Sequence, residues 1–136
     1  MTEAVAERPC ILLVEDEEIN RTLVRTILRR STDADLRDAQ LVEAASLAQA
    51  RESLATVDVD VMLIDLQLPD GSGLSLVGEV VAAKPADVRP AIIALTGDVL
   101  AERKAEALAA GCDAFLDKPY TAAALRDVLA KHLGRA

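Results

Sequence analysis

The sequence predicts an α/β domain built on a doubly wound parallel sheet with helices on both faces, and three observations predict it. Short apolar segments of strand length alternate with longer segments whose apolar residues recur at helical spacing. Four of those strands run straight into polar groups: Ile11-Leu12-Leu13-Val14 into Glu15-Asp16, Val61-Met62-Leu63-Ile64 into Asp65, Ala91-Ile92-Ile93-Ala94-Leu95 into Thr96-Gly97, and Ala114-Phe115-Leu116 into Asp117-Lys118-Pro119. With 136 residues, 51% of them hydrophobic, the chain is large enough to bury one core without staples.

Each element has its own signal. After the first strand, Ile19, Leu23, Val24, Ile27 and Leu28 form one buried helical stripe, while Arg21, Arg25 and Arg29 fall on another face and read, with Arg30, as solvated. The polar segment Ser31 to Asp38 is compatible with either a longer helix or a loop. A second strand is expected at about Gln40 to Ala44 and a helix from about Ser46 to Ala55. The third strand ends at Asp65 and opens into a turn-rich loop, where Gly71 and Gly73 are expected to meet a need for positive φ. Leu74, Val77 and Val81 mark the next helix, which stops before Pro85. Ala91 to Leu95 is the fourth strand. The helix from about Val99 to Ala110 is closed by Gly111, a common left-handed terminator. Asp113 to Asp117 is a short fifth strand, and Thr121 caps a last helix carrying Leu125, Val128, Leu129 and Leu133. One domain over residues 9–134, with a short tail at each end, accounts for the chain.

Composition narrows the function. Fifteen basic against 23 acidic residues give a net charge of -8, which repels phosphate backbones and argues against direct nucleic-acid binding. The first eight residues lack the charge and apolar pattern of a signal peptide, and no run approaches a membrane span. A cytoplasmic protein with no membrane partner is expected.

In an open parallel sheet the carboxyl ends of the strands form a single ligand-binding crevice, so the polar groups above should converge. The acidic pair Glu15-Asp16, Asp65, Thr96 and Lys118-Pro119, taken together, resemble the phosphoacceptor receiver domain of two-component signalling, over about Cys10 to Leu133. Val14-Glu15-Asp16 with Asn20, Leu66-Gln67-Leu68-Pro69 and Gly111-Cys112-Asp113-Ala114 look like single-domain regulators and the receivers of hybrid histidine kinases. The resemblance implies a flavodoxin-like five-stranded sheet in the order 2-1-3-4-5. It also implies a signalling switch in which a histidine kinase or histidine phosphotransfer protein passes a phosphoryl group to Asp65, and a downstream protein effector reads the altered surface.

The chemistry agrees with that reading. Clustered carboxylates repel, so a set of them with oxygen donors alone suits a hard cation such as Mg²⁺, with Asp16 and Asp65 as side-chain ligands. The bland alternatives are that Asp16, Glu17 and Glu18 only favour a helix N-terminus and that Asp65 only begins a turn. An aspartate can attack a phosphoryl group, but its own charge opposes approach to an anion, and the metal and Lys118 would neutralise the transferring oxygens.

The resemblance adds further roles. It gives the metal the backbone carbonyl of Gln67 and gives Glu15, one methylene longer than the family's commoner aspartate, an outer, water-mediated place. It implies a cis Lys118-Pro119 bond. It makes Thr96 and Phe115 a switch in which the hydroxyl moves toward the phosphoryl group and the ring turns into the vacated space; the alternative for Phe115 is core packing. It assigns Gln67 and Asp98 to tuning of phosphoryl lifetime. Tyr120 is expected to lie exposed beside the switch face, and His132 to serve at a helix end.

Two other classes fit less well. A phosphatase of the haloacid dehalogenase type expects a second Asp two residues after the nucleophile, where this chain has Gln67. A nucleotide-binding module wants a phosphate loop after the first strand, where Glu15-Asp16-Glu17-Glu18 would repel one. Cys10 and Cys112 would stand three strand spacings apart, about 14 Å, beyond the roughly 7 Å reach of a disulfide. Two free thiols are expected.

Overall fold

A computed structural model describes residues 8–85, 88–97 and 101–133, with 101–103 described by backbone alone. In chain order the elements are β1 (Cys10–Val14), α1 (Glu18–Arg29), α2 (Ala34–Arg37), β2 (Gln40–Ala44), α3 (Leu47–Thr56), β3 (Val61–Asp65), β4 (Gln67–Leu68), β5 (Gly71–Ser72), α4 (Gly73–Ala83), β6 (Ala91–Thr96), α5 (Ala101–Ala110), β7 (Ala114–Asp117) and α6 (Ala122–Leu133). Five strands form a parallel sheet in the order β2-β1-β3-β6-β7, which is the expected 2-1-3-4-5 once the short β4-β5 pair is set aside. Their register brings the strand ends to one edge: Val14 lies beside Ala44 and Ile64, Asp65 beside Leu95, and Thr96 beside Asp117.

Strand alternation divides the core into two layers. Leu12, Val14, Met62, Ile64, Ile92 and Ala94 face α3, α4 and α5, whereas Ile11, Leu13, Val61, Leu63, Ile93 and Leu95 face α1, α2 and α6. All twelve have no measurable exposure, as strands covered on both faces require. Each fully buried Leu or Ile contributes about 1.5–3 kcal/mol, which makes this sheet a rigid platform for its edge.

Ser31 to Asp38 is neither a longer helix nor a plain loop. Asp33 accepts from the N–H of Asp35 at 2.9 Å and caps the one-turn helix α2, whose Leu36, 1% exposed, plugs the layer shared with α1 and α6. The loop after Asp65 is also more ordered than the sequence suggests, because β4 and β5 pair antiparallel and Asp70 reaches back to the N-terminus of α3. The Asp70 carboxylate accepts from Leu47 N–H at 2.9 Å and Ala48 N–H at 3.2 Å, a favourable place for a negative charge.

Gly71 and Gly111 take positive φ, +144° and +117°. Gly73 does not; it is required for another reason, since a Cβ there would stand 2.4 Å from the Asp65 carbonyl oxygen. Thr121 caps α6 as expected, accepting from Ala124 N–H at 3.0 Å, and His132 stands in the last turn beside the Val128 carbonyl. Both cysteines are free and buried. Among the described residues no helix is long and apolar enough to cross a membrane.

Candidate functional site

Among the described residues, three of the four buried polar ones, Glu15, Asp65 and Thr96, sit at the carboxyl edge of the sheet. Glu15 follows β1, Asp65 ends β3 and Thr96 ends β6, so the register places all three at one crevice. Lys118, just beyond β7, completes it. Its Nζ donates to Glu15 Oε1 at 2.6 Å and to Asp65 Oδ2 at 2.9 Å, and its backbone N–H donates to the Thr96 carbonyl at 2.7 Å. The Lys118-Pro119 bond is cis.

Asp16 is exposed at the mouth, and ligand oxygens of Glu15, Asp16 and Asp65 all lie within 4.8 Å of one another. Three carboxylates therefore face one ammonium. Burial pushes the Glu15 carboxyl above its ordinary value; Lys118 opposes the shift and Asp65 adds to it. Burial alone would lower the Lys118 pKa, but the hydrogen bonds and charges of Asp65 and Glu15 carry it above the ordinary lysine value. A buried surplus of negative charge is costly unless a cation shares the site. Oxygen donors at this spacing fit a single hard divalent ion, and Mg²⁺ prefers such ligands with waters completing its shell.

The backbone holds Asp65 in place. Its Oδ1 accepts from Gln67 N–H at 2.8 Å, and Gly73 N–H donates to the Leu66 carbonyl at 3.0 Å, closing the β3–α4 loop under the carboxylate. Gln67 itself is exposed on β4. With Thr96, Leu66 and Ser72 it lines a cleft of about 350 Å³ beside Asp65. Asp98 lies outside the described residues.

Several site-building residues carry no obvious sequence signal. Arg21, read as solvated, donates through Nη1 to the carbonyls of Glu15 at 2.9 Å and Asp16 at 3.0 Å, pinning the acidic loop. Arg25 is likewise engaged, with both arms on Glu43 of β2 at 3.0 and 2.8 Å. Only the i, i+4 spacing of the two arginines hinted at a shared partner. Tyr120, expected exposed, is half-buried against the α1–α6 layer, and burial raises its phenol pKa. Phe115 is half-buried against the opposite layer, with Lys104 Nζ 4.9 Å from its ring centroid.

The chain matches the family model for the response regulator receiver domain over residues 11–130. It is 35% identical over 121 residues to the aerobic respiration control sensor protein ArcB of Escherichia coli (strain K12), covering 89% of this chain and 15% of that protein. It thus spans only a small part of that relative's length. The two-component response regulator ORR41 of Oryza sativa subsp. japonica is 32% identical over 121 residues, 89% of this chain and 91% of its own. The solved receiver domain of the sensor histidine kinase PA1611 from Pseudomonas aeruginosa PAO1, which has a magnesium ion coordinated in its active site cleft, aligns with a TM-score of 0.79 at 31% identity, over 94% of this chain and 99% of that one. Fold, edge geometry and kinship agree, and the chain belongs to the response regulator receiver domain family.

Proposed function

We propose that this receiver accepts a phosphoryl group from a phosphohistidine onto Asp65 and passes the change on through protein contacts. The observation that carries the reading is the position of Lys118 Nζ, shared between Asp65 and Glu15 at the mouth of a three-carboxylate cluster. One oxygen of Asp65 attacks phosphorus while the phosphorus–nitrogen bond breaks and its electron pair stays on the donor imidazole. Asp65 is held for that attack by Gln67 N–H, and Lys118 offers its ammonium to the oxygens that gain charge. Asp16, Asp65 and the Gln67 carbonyl would hold Mg²⁺, with Glu15 behind them, and the ion supplies the charge neutralisation that lets one anion approach another.

Thr96, buried beside Asp65, offers a hydroxyl that can change partners, and Phe115 on the next strand is the ring that follows it. Gln67 lines the cleft by which hydrolytic water would approach, and we assign it and Asp98 to phosphoryl lifetime. Similarity to the receiver domain of a sensor histidine kinase supports a histidine kinase or phosphotransfer protein as donor. A downstream protein reads the surface. The two unpaired cysteines accord with a cytoplasmic setting.

Incubation with phosphoramidate and Mg²⁺, read on a phosphate-affinity gel, tests the reading. Wild type should shift and Asp65→Asn should not; equal shifts would remove Asp65 from the mechanism.

A further inference from the structure

Lys104, on α5, touches two residues of β7 at once. Its Nζ stands 4.9 Å from the Phe115 ring centroid and 3.1 Å from Asp117 Oδ2. Phe115 and Asp117 are two apart on a strand and so project to the same side of the sheet, toward α5. Across the sheet they lie opposite Ala94 and Thr96 respectively. Asp117 in turn is the neighbour of Lys118. A single ammonium therefore contacts the proposed rotating ring and the carboxylate set directly beside the proposed rotating hydroxyl.

The second carboxylate oxygen, Asp117 Oδ1, is buried and has no hydrogen-bond partner among the described residues. The Lys104 bond is thus the hydrogen bond that the Asp117 side chain makes there, and it fixes the ammonium in front of the ring. A cation within about 6 Å of an aromatic face is attracted by the ring quadrupole. That attraction exists only while the ring stays under the ammonium. A contact made in one state and lost in the other is what biases a two-state equilibrium.

We propose that Lys104 is a positioning residue that holds Phe115 in its present rotamer, so that this lysine sets how readily the switch turns. The inference rests on the Thr96–Phe115 reading above and deepens it by naming what opposes the turn. Losing a cation over a ring in one state alone changes an equilibrium by about three- to thirty-fold.

Phe115 is the only phenylalanine, so labelling with para-fluorophenylalanine gives one fluorine resonance that reports this ring alone. Wild type, Lys104→Met, Lys104→Arg and Asp117→Asn are titrated with beryllofluoride in the presence of Mg²⁺. The wild-type resonance should move to a new position, and Lys104→Met should reach it at a beryllofluoride midpoint about three- to thirty-fold lower. Lys104→Arg, which keeps the cation, should follow wild type, and Asp117→Asn should fall between. An unchanged midpoint in Lys104→Met while the wild-type resonance moves would overturn the role of Lys104 and leave the switch standing. A wild-type resonance that never moves would overturn the switch, and this inference with it.

Discussion

Lys118 and Asp65 stand 53 residues apart in the chain, yet Nζ and Oδ2 meet at 2.9 Å, because β3 and β7 flank β6 and end at the same edge of one sheet. Among the described residues the lysine is the cation that Glu15 and Asp65 bond to. Its loss has consequences for stability as well as for chemistry.

Lys118→Met leaves Glu15 and Asp65 facing each other without compensation. The cluster opens to solvent at Asp16, so the expected loss is about 1–3 kcal/mol at neutral pH without Mg²⁺, less than for a fully buried pair. Burial already raises the Glu15 carboxyl, and Lys118 is the group that opposes the shift, so the variant should raise it further. A native carboxyl pKa above its unfolded value means that the folded state binds the extra proton. Stability of the variant should therefore recover as pH falls from the raised Glu15 value toward about 4.3, the ordinary glutamate value. Urea unfolding at a series of pH values checks this, and a deficit independent of pH would contradict it.

Two glycines on one helix should respond in opposite directions. A Cβ at Gly73 would meet the Asp65 carbonyl oxygen at 2.4 Å and Leu66 Cα at 3.0 Å, both backbone atoms with little room to move. Gly73→Ala should lose about 1–3 kcal/mol and slow phosphorylation by displacing the loop that holds Asp65. Nothing lies within 4 Å of a Cβ at Gly78, inside α4. Gly78→Ala should gain about 0.4–1 kcal/mol with phosphorylation unchanged. Denaturant midpoints and phosphoramidate labelling rates on both variants are the measurement.

Glu43 is held below the ordinary glutamate range first by its hydrogen bonds with Arg25, then by the charges of Arg25 and Arg21, against the effect of burial. Because the folded pKa is lowered, the stabilisation is present above the unfolded value and fades as pH falls through the folded one. The pair is partly exposed, so Glu43→Gln should remove at most about 1 kcal/mol at pH 7 and little once the carboxylate of wild type is protonated. Arg21 also pins the Glu15 and Asp16 carbonyls, so Arg21→Met should weaken Mg²⁺ binding more than Arg25→Met does. Equal Mg²⁺ affinities for the two arginine variants would contradict that assignment.

Both thiols should resist alkylation in the native state. Burial, followed by repulsion from Asp113, pushes the Cys112 thiol up to about 11. Burial and the charges of Asp60 and Asp58 raise Cys10. At pH 8 a thiol reagent should find neither until denaturant is added, and then both. A fast-reacting native thiol would show that one strand end opens readily.

The parallel sheet was legible because unbroken apolar runs alternate with helical segments, whereas its strand order was legible only through the resemblance to receiver domains. Glu15, Asp16, Asp65, Thr96 and Lys118 were legible as candidates because each ends such a run or follows it within two residues. The role of Arg21 was not, because its partners are backbone carbonyls, which any sequence supplies. Helix α2 escaped notice since one turn with a single buried Leu36 leaves no periodicity to detect. Gly73 was noticed for the wrong reason: a close approach and a positive φ demand the same residue. The exposure expected of Tyr120 failed because packing against α1 and α6 depends on where those helices converge, far apart in sequence.

The central claim is that Asp65 carries the phosphoryl group, and chemical trapping addresses it most directly. Wild-type protein is phosphorylated with phosphoramidate and Mg²⁺, reduced with borohydride, digested and mapped by mass spectrometry. An acyl phosphate on Asp65 should appear as homoserine at position 65 and nowhere else, and only when the phosphoryl donor was present. Homoserine at another acidic position, or donor-dependent labelling that survives in Asp65→Asn, would contradict the account.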